Sequence, residues 1–428
     1  MTSIPENAPL GKDIRILRPN YFDTEKSGSY KPATKWQLQD TAGELLSGFR
    51  VASCGKHPAK DMDGITRNVI FKRTEHGKAA FSGLAMCGSV WHCPVCAQRI
   101  STQRREELQE LMQAAKNKDM GVHLLTLTVP HQLHDKLENL LPQVTEALRK
   151  LKSGRGWKEI VENFGIIGGV RALEITHGAN GWHPHTHEML ITAKPLTVDQ
   201  MLQLKAHIYV QWSRAAKIVG LGLPDWGHGV DVKPHDAAAE YISKWGFQDE
   251  LTTAHIKHGK KDSRTPFDLL RDYRNTKDSK AGGLFKEYAK IFHGRRQLVW
   301  SKGLKDLLIP DQLELLDEEI AEMDEPKSKN IMSVPPVLFY QIMKDKKRDF
   351  IVSCIESESY QEIINYLYQA AIRNGIEWDA RTGQHALQHK SFNSNTTVNI
   401  YVNLGGDNDD DFENPCQHYG QGLVDLKK

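Results

Sequence analysis

The sequence predicts an α+β fold: a ferredoxin-like antiparallel sheet with flanking helices, preceded by a small zinc-binding module. Three observations carry this. Between residues 121 and 248 the periodicities run β-α-β-β-α-β-α, with a hairpin at the centre, which is the order of a split β-α-β sheet. Upstream, "CGSVWHCPVC" (87–96) places Cys87, Cys93 and Cys96 within ten residues. The chain has 428 residues, more than one ordinary core accommodates.

The elements follow in order. Residues 1–45 are polar and rich in turn formers, and are expected to be loosely ordered. "SGFRVASCGKH" (47–57) has the β-branched and aromatic content of a short strand leading to Cys54. In "TQRREELQELMQAAKN" (102–117), Leu108, Leu111, Met112 and Ala115 fall on one helical stripe. "GVHLLTLTVPH" (121–131) alternates as a strand ended by Pro130, and a helix is expected over 135–151. "GIIGGVRALEITH" (165–177) is a second strand, turning through "GANG" into "GWHPHTHEML" (181–190). Pro184 cannot donate to a ladder, which places His183 in the turn and opens the strand at His185. The long helix 196–220 starts at a capping box, Thr197 with Gln200, and buries Met201, Leu204, Ile208, Trp212, Ala215 and Val219. "GVDVKP" (229–234) is a short strand, and "HDAAAEYISKWGFQ" (235–248) a helix. Beyond 330 one further helix is legible, at 360–374.

Composition bounds the setting. Charged residues make up 26% and the hydrophobic class 39%, and no run of 18 apolar residues occurs, so neither a spanning helix nor a membrane partner is expected. The first twenty residues lack an apolar signal core, which points to the cytoplasm. There, six cysteines suggest metal ligation rather than a disulfide scaffold. The net charge of +2 conceals an asymmetry. Residues 251–305 hold 14 Lys/Arg against 5 Asp/Glu, whereas 306–326 hold nine acids and no Lys or Arg. The basic block is expected to face a polyanion, with Arg264, Arg271, Arg274, Arg295 and Arg296 on phosphates. The expected organisation is a polar segment (1–45), a zinc module (46–100), an α+β domain with a basic C-terminal part (101–305), an acidic linker (306–330) and a region without an assigned role (331–428).

Three groups of residues carry chemistry. Cys93-Pro-Val-Cys96 has the C-x₂-C spacing of a zinc knuckle, whose tight turn lets two thiolates share one Zn²⁺. Cys87 is the third ligand and Cys54 the natural fourth, with His57 and His92 as alternatives. Second, alternate residues of a strand share a face, so His183, His185 and His187 can all look one way. His185 and His187, with Glu174 on the adjacent strand, make a His₂-carboxylate set that leaves coordination positions open for a substrate oxygen. Third, Tyr241 and Lys244 share a face of the last helix, with Ala237 and Ala238 leaving room beside them. A lysine beside a tyrosine lowers the cost of a phenolate nucleophile and can hold a phosphate oxygen.

"LLTLTVPH", "GWHPHTHEML" and "EYISKW", in that order, resemble the three motifs of plasmid rolling-circle replication initiators (Rep proteins) of the HUH endonuclease superfamily. "RTPFDLLRDY" (264–273) and "GRRQLVWSKGLK" (294–305) resemble the same family, so the likeness covers residues 47–305. It implies that 101–305 is an HUH endonuclease domain acting on single-stranded or hairpin origin DNA. His185, His187 and Glu174 would bind Mg²⁺ or Mn²⁺. Tyr241 would form a 5′-phosphotyrosyl link and release a 3′-OH primer, Lys244 would steady the phosphate, and a later transfer would rejoin strands. A host helicase and the replication machinery are the implied partners. Some relatives carry a glutamate one turn before the tyrosine to activate water at termination. Here that position is Ala237, with Asp236 and Glu240 nearby. The competing readings are a related single-strand transposase or mobilisation nuclease, and a non-catalytic zinc-ribbon DNA-binding regulator.

Overall fold

The computed structural model describes residues 33–244, 263–324, 327–375, 377–379, 386–388 and 401–402. Helix α1, Lys35–Leu45, lies in the stretch expected to be loose. Its signal was sparse: Thr34 and Gln37 form a capping box, and the buried Trp36, Leu38 and Ala42 follow no single helical stripe. The expected strand at 47–57 is instead a 3₁₀ turn at Arg50–Ala52 followed by tight turns. Strands β1 (Val69–Thr74) and β2 (Ala79–Ser82) form a hairpin. Helix α2, Pro94–Asn117, begins well before the predicted stripe because Cys93 is its N-cap and Pro94 its first residue.

The main sheet follows. Strand β3 (Gly121–Thr128) leads to helices α3 (Leu137–Leu151) and α4 (Arg155–Phe164), the latter not anticipated. Strands β4 (Ile166–Gly178) and β5 (Gly181–Thr192) form a long hairpin with a two-residue turn. Gly181 has φ of +86°, and a Cβ there would stand 2.9 Å from the Gln132 carbonyl oxygen. Helix α5 (Val198–Ile218) has the expected capping box and buries Leu204, Ile208, Trp212, Ala215 and Ala216. Strand β6 (Val230–Lys233) leads into α6 (His235–Lys244). Helices α7 (Pro266–Thr276) and α8 (Ser279–Phe292) precede β7 (Leu298–Trp300). The strand order is β6-β3-β5-β4-β7, every neighbour antiparallel. Its first four strands have the ferredoxin-like order, with β7 added beside β4.

The two faces of this sheet differ. Leu125, Leu127, Ile175, Trp182 and Leu190 belong to the larger core with α3, α5 and α8. The other face carries Leu124, Val170, Ala172, Met189 and Ile191 beneath α2 and α6, which contribute Leu108, Leu111, Met112, Ala238 and Ile242. Alternation puts His183, His185 and His187 on this second face.

The chain then folds back. Helices α9 (Leu304–Leu308) and α10 (Asp317–Glu322) lie in the acidic stretch expected as a linker. Its acids meet bases: Asp317 lies 2.8 Å from Arg104 of α2, and Asp324 lies 2.8 Å from the buried Lys72 of β1. Strand β8 (Ser328–Val334) pairs with β1, so the sheet of the cysteine-bearing module draws a strand from some 250 residues downstream, and residues 401–402 pair with β8 in turn. Helices α11 (Pro336–Lys344), α12 (Arg348–Glu356) and α13 (Tyr360–Arg373) follow.

Candidate active site and metal centre

Cys54, Cys87, Cys93 and Cys96 are all buried, and their sulfurs lie within 4.8 Å of one another. The Sγ separations are 3.7 Å (Cys54–Cys93), 3.6 Å (Cys54–Cys96) and 3.6 Å (Cys87–Cys96). A tetrahedral zinc with Zn–S bonds of about 2.3 Å sets its sulfurs about 3.8 Å apart, so the cage fits that ion. The chain holds it by local geometry. The α2 N-terminus supplies Cys93 and Cys96, the loop after β2 supplies Cys87, and the turn after Arg50–Ala52 supplies Cys54. Burial would raise the Cys93 thiol, but hydrogen bonds from Cys54, Cys87 and Cys96 outweigh it and hold that sulfur towards thiolate. Hydrogen bonding to Cys54 pushes the Cys87 thiol up. His92 bonds the Ala289 carbonyl (2.8 Å) and His57 lies against Tyr340, so Cys54 completes the set.

Gln39 of α1 donates to Cys93 Sγ (3.3 Å) and accepts from Arg348 of α12 (3.0 Å). Such outer partners orient the ligands. No sequence pattern joins positions 39, 93 and 348.

His183 lies inside β5 rather than in the turn. The β3 ladder stops at Thr128↔His185, so Pro184 has a partner strand on one side only, which makes the proline tolerable. Glu174 stands opposite His185 in the ladder, and its Oε2 is 3.3 Å from His187 Nε2. Thr126 Oγ1 is 3.1 Å from His187 Nδ1. The rings of His183 and His185 are 3.8 Å apart, and those of His185 and His187 6.1 Å apart and nearly parallel. His131, just past β3, stacks on His183 at 4.3 Å. Burial drives His183 down to about 3, with His185 and His131 adding to the effect. Burial also holds His185 down to about 4, against the pull of Glu174. Both rings are therefore neutral at neutral pH, with lone pairs available.

His187 Nε2 faces the Glu174 carboxylate; in the tautomer whose Nδ1–H donates to Thr126, the Nε2 lone pair and the carboxylate oxygen are both available to a cation between them. His185, His187 and Glu174 thus have the chemistry of a divalent site. They converge less tightly than the cysteines, which alone among the described residues bring three or more ligand atoms within 4.8 Å of one another.

Helix α6 crosses this face. Ala238 and Ile242 are buried there with Val170, Ala172 and Met189, and Tyr241 stands between them in the helix. The side chains of Tyr241 and Lys244 lie outside the described residues. The Asp236 side chain is fully exposed, 3.4 Å from His235.

The five arginines fare differently. Arg264 and Arg271 pair with Asp272 (3.0 Å) and Asp268 (2.5 Å). Arg274 turns inward, to the Gln37 carbonyl (3.3 Å) and Thr41 Oγ1 (3.2 Å) of α1. Arg295 bonds the Ile291 carbonyl at 2.9 Å. Arg296 is exposed. Sequence reasoning missed Thr126 and His131. The alternation in "HLLTLT" could have found Thr126, since it puts Leu124, Thr126 and Thr128 on one face.

Residues 82–350 match the model of a family described as "Replication protein". A "Protein rep" of Streptomyces lividans is 29% identical over 308 residues, covering 56% of this chain and 67% of its own length. The "Neomycin resistance protein" of Streptomyces cyanogenus is 30% identical over 148 residues, 29% of this chain and 34% of its own. A "Protein rep" of Staphylococcus aureus is 30% identical over 111 residues, 25% of this chain and 46% of its own. No solved structure matches the chain. No helix among the described residues is long and apolar enough to cross a membrane.

Proposed function

The chain belongs to this replication-protein family, and from that premise we propose that it initiates rolling-circle plasmid replication by nicking single-stranded origin DNA. The observation that carries the reading is the packing of α6, with Tyr241 and Lys244, over the sheet face that presents His185, His187 and Glu174. A nucleophile-bearing helix and a row of imidazoles beside a carboxylate are what phosphodiester transfer needs in one place.

His185, His187 and Glu174 would hold Mg²⁺ or Mn²⁺, which would supply Lewis-acid chemistry to the scissile phosphate. His185 offers a lone pair because burial keeps it neutral, and His187 offers its Nε2 beside Glu174. Thr126 fixes the ring of His187. The Tyr241 hydroxyl gives its proton to solvent water and attacks phosphorus, forming the tyrosyl O–P bond. The P–O3′ bond breaks, and the leaving oxygen takes up a proton to become the 3′-OH primer. The 5′-phosphotyrosyl link retains the phosphodiester energy, so a second 3′-OH can reverse the step and rejoin strands. Lys244 neutralises charge beside the phosphate. The zinc cage holds the start of α2 against the rest of the fold. A helicase and the replication machinery are the partners that such an initiator requires, and the cytoplasm is its setting.

The test incubates the full chain with labelled single-stranded oligonucleotides spanning a candidate origin, with Mn²⁺, and looks for a denaturation-resistant adduct. Tyr241→Phe should bind DNA but form none. His185→Ala or His187→Ala should lose most activity and regain part of it in excess Mn²⁺. An adduct at the wild-type rate in Tyr241→Phe overturns the nucleophile assignment. Binding without any adduct leaves a zinc-ribbon regulator.

A further inference from the structure

We propose that Trp226 is a stacking platform for a base of the single-stranded DNA next to the cleavage site, with Lys205 as the cation for an adjoining phosphate. This rests on the reading of the chain as a single-strand nuclease.

The loop 220–229 joins α5 to β6 and ends in the lateral row of the sheet that holds the histidines. Glu174 pairs with His185, His185 with Thr128, and the Thr128 amide donates to the Gly229 carbonyl at 3.0 Å. The Thr128 hydroxyl donates to the His228 carbonyl at 2.9 Å. Gly229, the last residue of the loop, thus stands two strand spacings, about 10 Å, from His185, at the same end of the sheet, while Trp226 packs on α5, over the opposite face. Trp226 is 43% exposed there and Leu223 is 65% exposed.

The loop is built rather than slack. Asp225 accepts from the amides of Gly227 (2.8 Å) and His228 (3.0 Å). The Gly229 amide closes the turn on the Asp225 carbonyl at 2.6 Å. A Cβ at Gly229 would stand 2.5 Å from Pro224, so the turn admits only glycine without shifting. Tyr209 of α5 donates to the Pro224 carbonyl (3.1 Å) and sets its ring perpendicular to Trp226 at 5.1 Å. Lys205 Nζ lies 5.0 Å from the Trp226 ring centre. A large aromatic surface is held in place at little entropic cost, beside a lysine cation. Sequence-tolerant recognition of single strands uses that pairing, because every base has a π-face. Tyr209 and Lys205 come from α5, so a strand leaving the histidine row would cross the β6 edge to reach them.

Trp226→Ala, Trp226→Phe and Lys205→Gln in the full chain can be compared by fluorescence anisotropy with a labelled oligothymidylate and with a duplex of equal length. Trp226→Ala should weaken single-strand binding about tenfold without changing its salt dependence, whereas Trp226→Phe should retain most of it. Lys205→Gln should flatten the logarithmic salt slope by about 0.7. Wild-type single-strand affinity in Trp226→Ala, or an equal loss on duplex and single strand, overturns the proposal and leaves the patch to a protein partner. If that affinity persists while covalent adduct still forms, only the platform fails. If the wild-type chain binds no single strand, the parent reading falls with it.

Discussion

Thr126 and His187 face each other across the β3–β5 ladder, and the threonine hydroxyl lies 3.1 Å from the imidazole Nδ1. The other ring nitrogen, Nε2, is thereby turned to Glu174. A hydroxyl that selects the ring's orientation would act on the proposed metal site without ligating it. Thr126→Val keeps the shape and removes that bond. It should raise the Mn²⁺ concentration for half-maximal cleavage about tenfold, while single-strand binding without metal stays unchanged. Equal metal dependence in mutant and wild type would remove Thr126 from the site.

About one zinc per chain is expected from the four-cysteine cage. Cys96→Ser opens it and leaves three buried thiols without their ion. Because structural zinc contributes directly to folding, the melting temperature should fall by about 10 °C or more. Elemental analysis of purified wild-type protein finding no zinc contradicts this.

The buried histidines make stability depend on pH. His183 and His185 are held down to about 3 and about 4, from an ordinary 6.5. Between pH 6.5 and about 4 the unfolded chain therefore binds protons that the folded chain refuses. Stability rises with pH across that window and is lost on acidification through it. His183→Gln removes one such group and should give a shallower decline of melting temperature from pH 6.5 to 4.5. A decline as steep as in wild type would mean that His183 is not a contributor.

The basic block divides into structural and solvent-facing arginines. Arg274 ties α7 to α1, so Arg274→Ala should cost about 1–2 kcal/mol of stability. Arg296→Gln should leave the melting temperature in place and flatten the salt dependence of single-strand binding by about 0.7. Denaturant melts and binding isotherms at several salt concentrations separate the two effects.

Much of this protein was legible in the sequence wherever the signal is local. The Thr197–Gln200 capping box, the stripe from Leu204 to Ala215 and the alternation through β3 each depend on residues a few positions apart. So do the C-x₂-C turn and the spacing of the three histidines, since strand geometry alone puts alternate residues on one face. The order of strands and helices then implied the antiparallel sheet. Helix α1 escaped notice because Trp36 and Leu38 are isolated in a polar stretch, and only the core they enter makes them informative.

Tertiary structure decided what distance in sequence hides. Strand β8 joins a sheet begun by β1 some 250 residues earlier, and Arg348 reaches the four-cysteine cage through Gln39 from 309 residues away. The acidic stretch is no bare solvated run, because Asp317 and Asp324 neutralise Arg104 and Lys72 at the surface of α2 and β1. Pro184 sits inside a strand because the β3 ladder ends one residue short of it. Charge, backbone donors and buried polar groups are each satisfied by whichever partner compaction brings near, and composition does not name that partner.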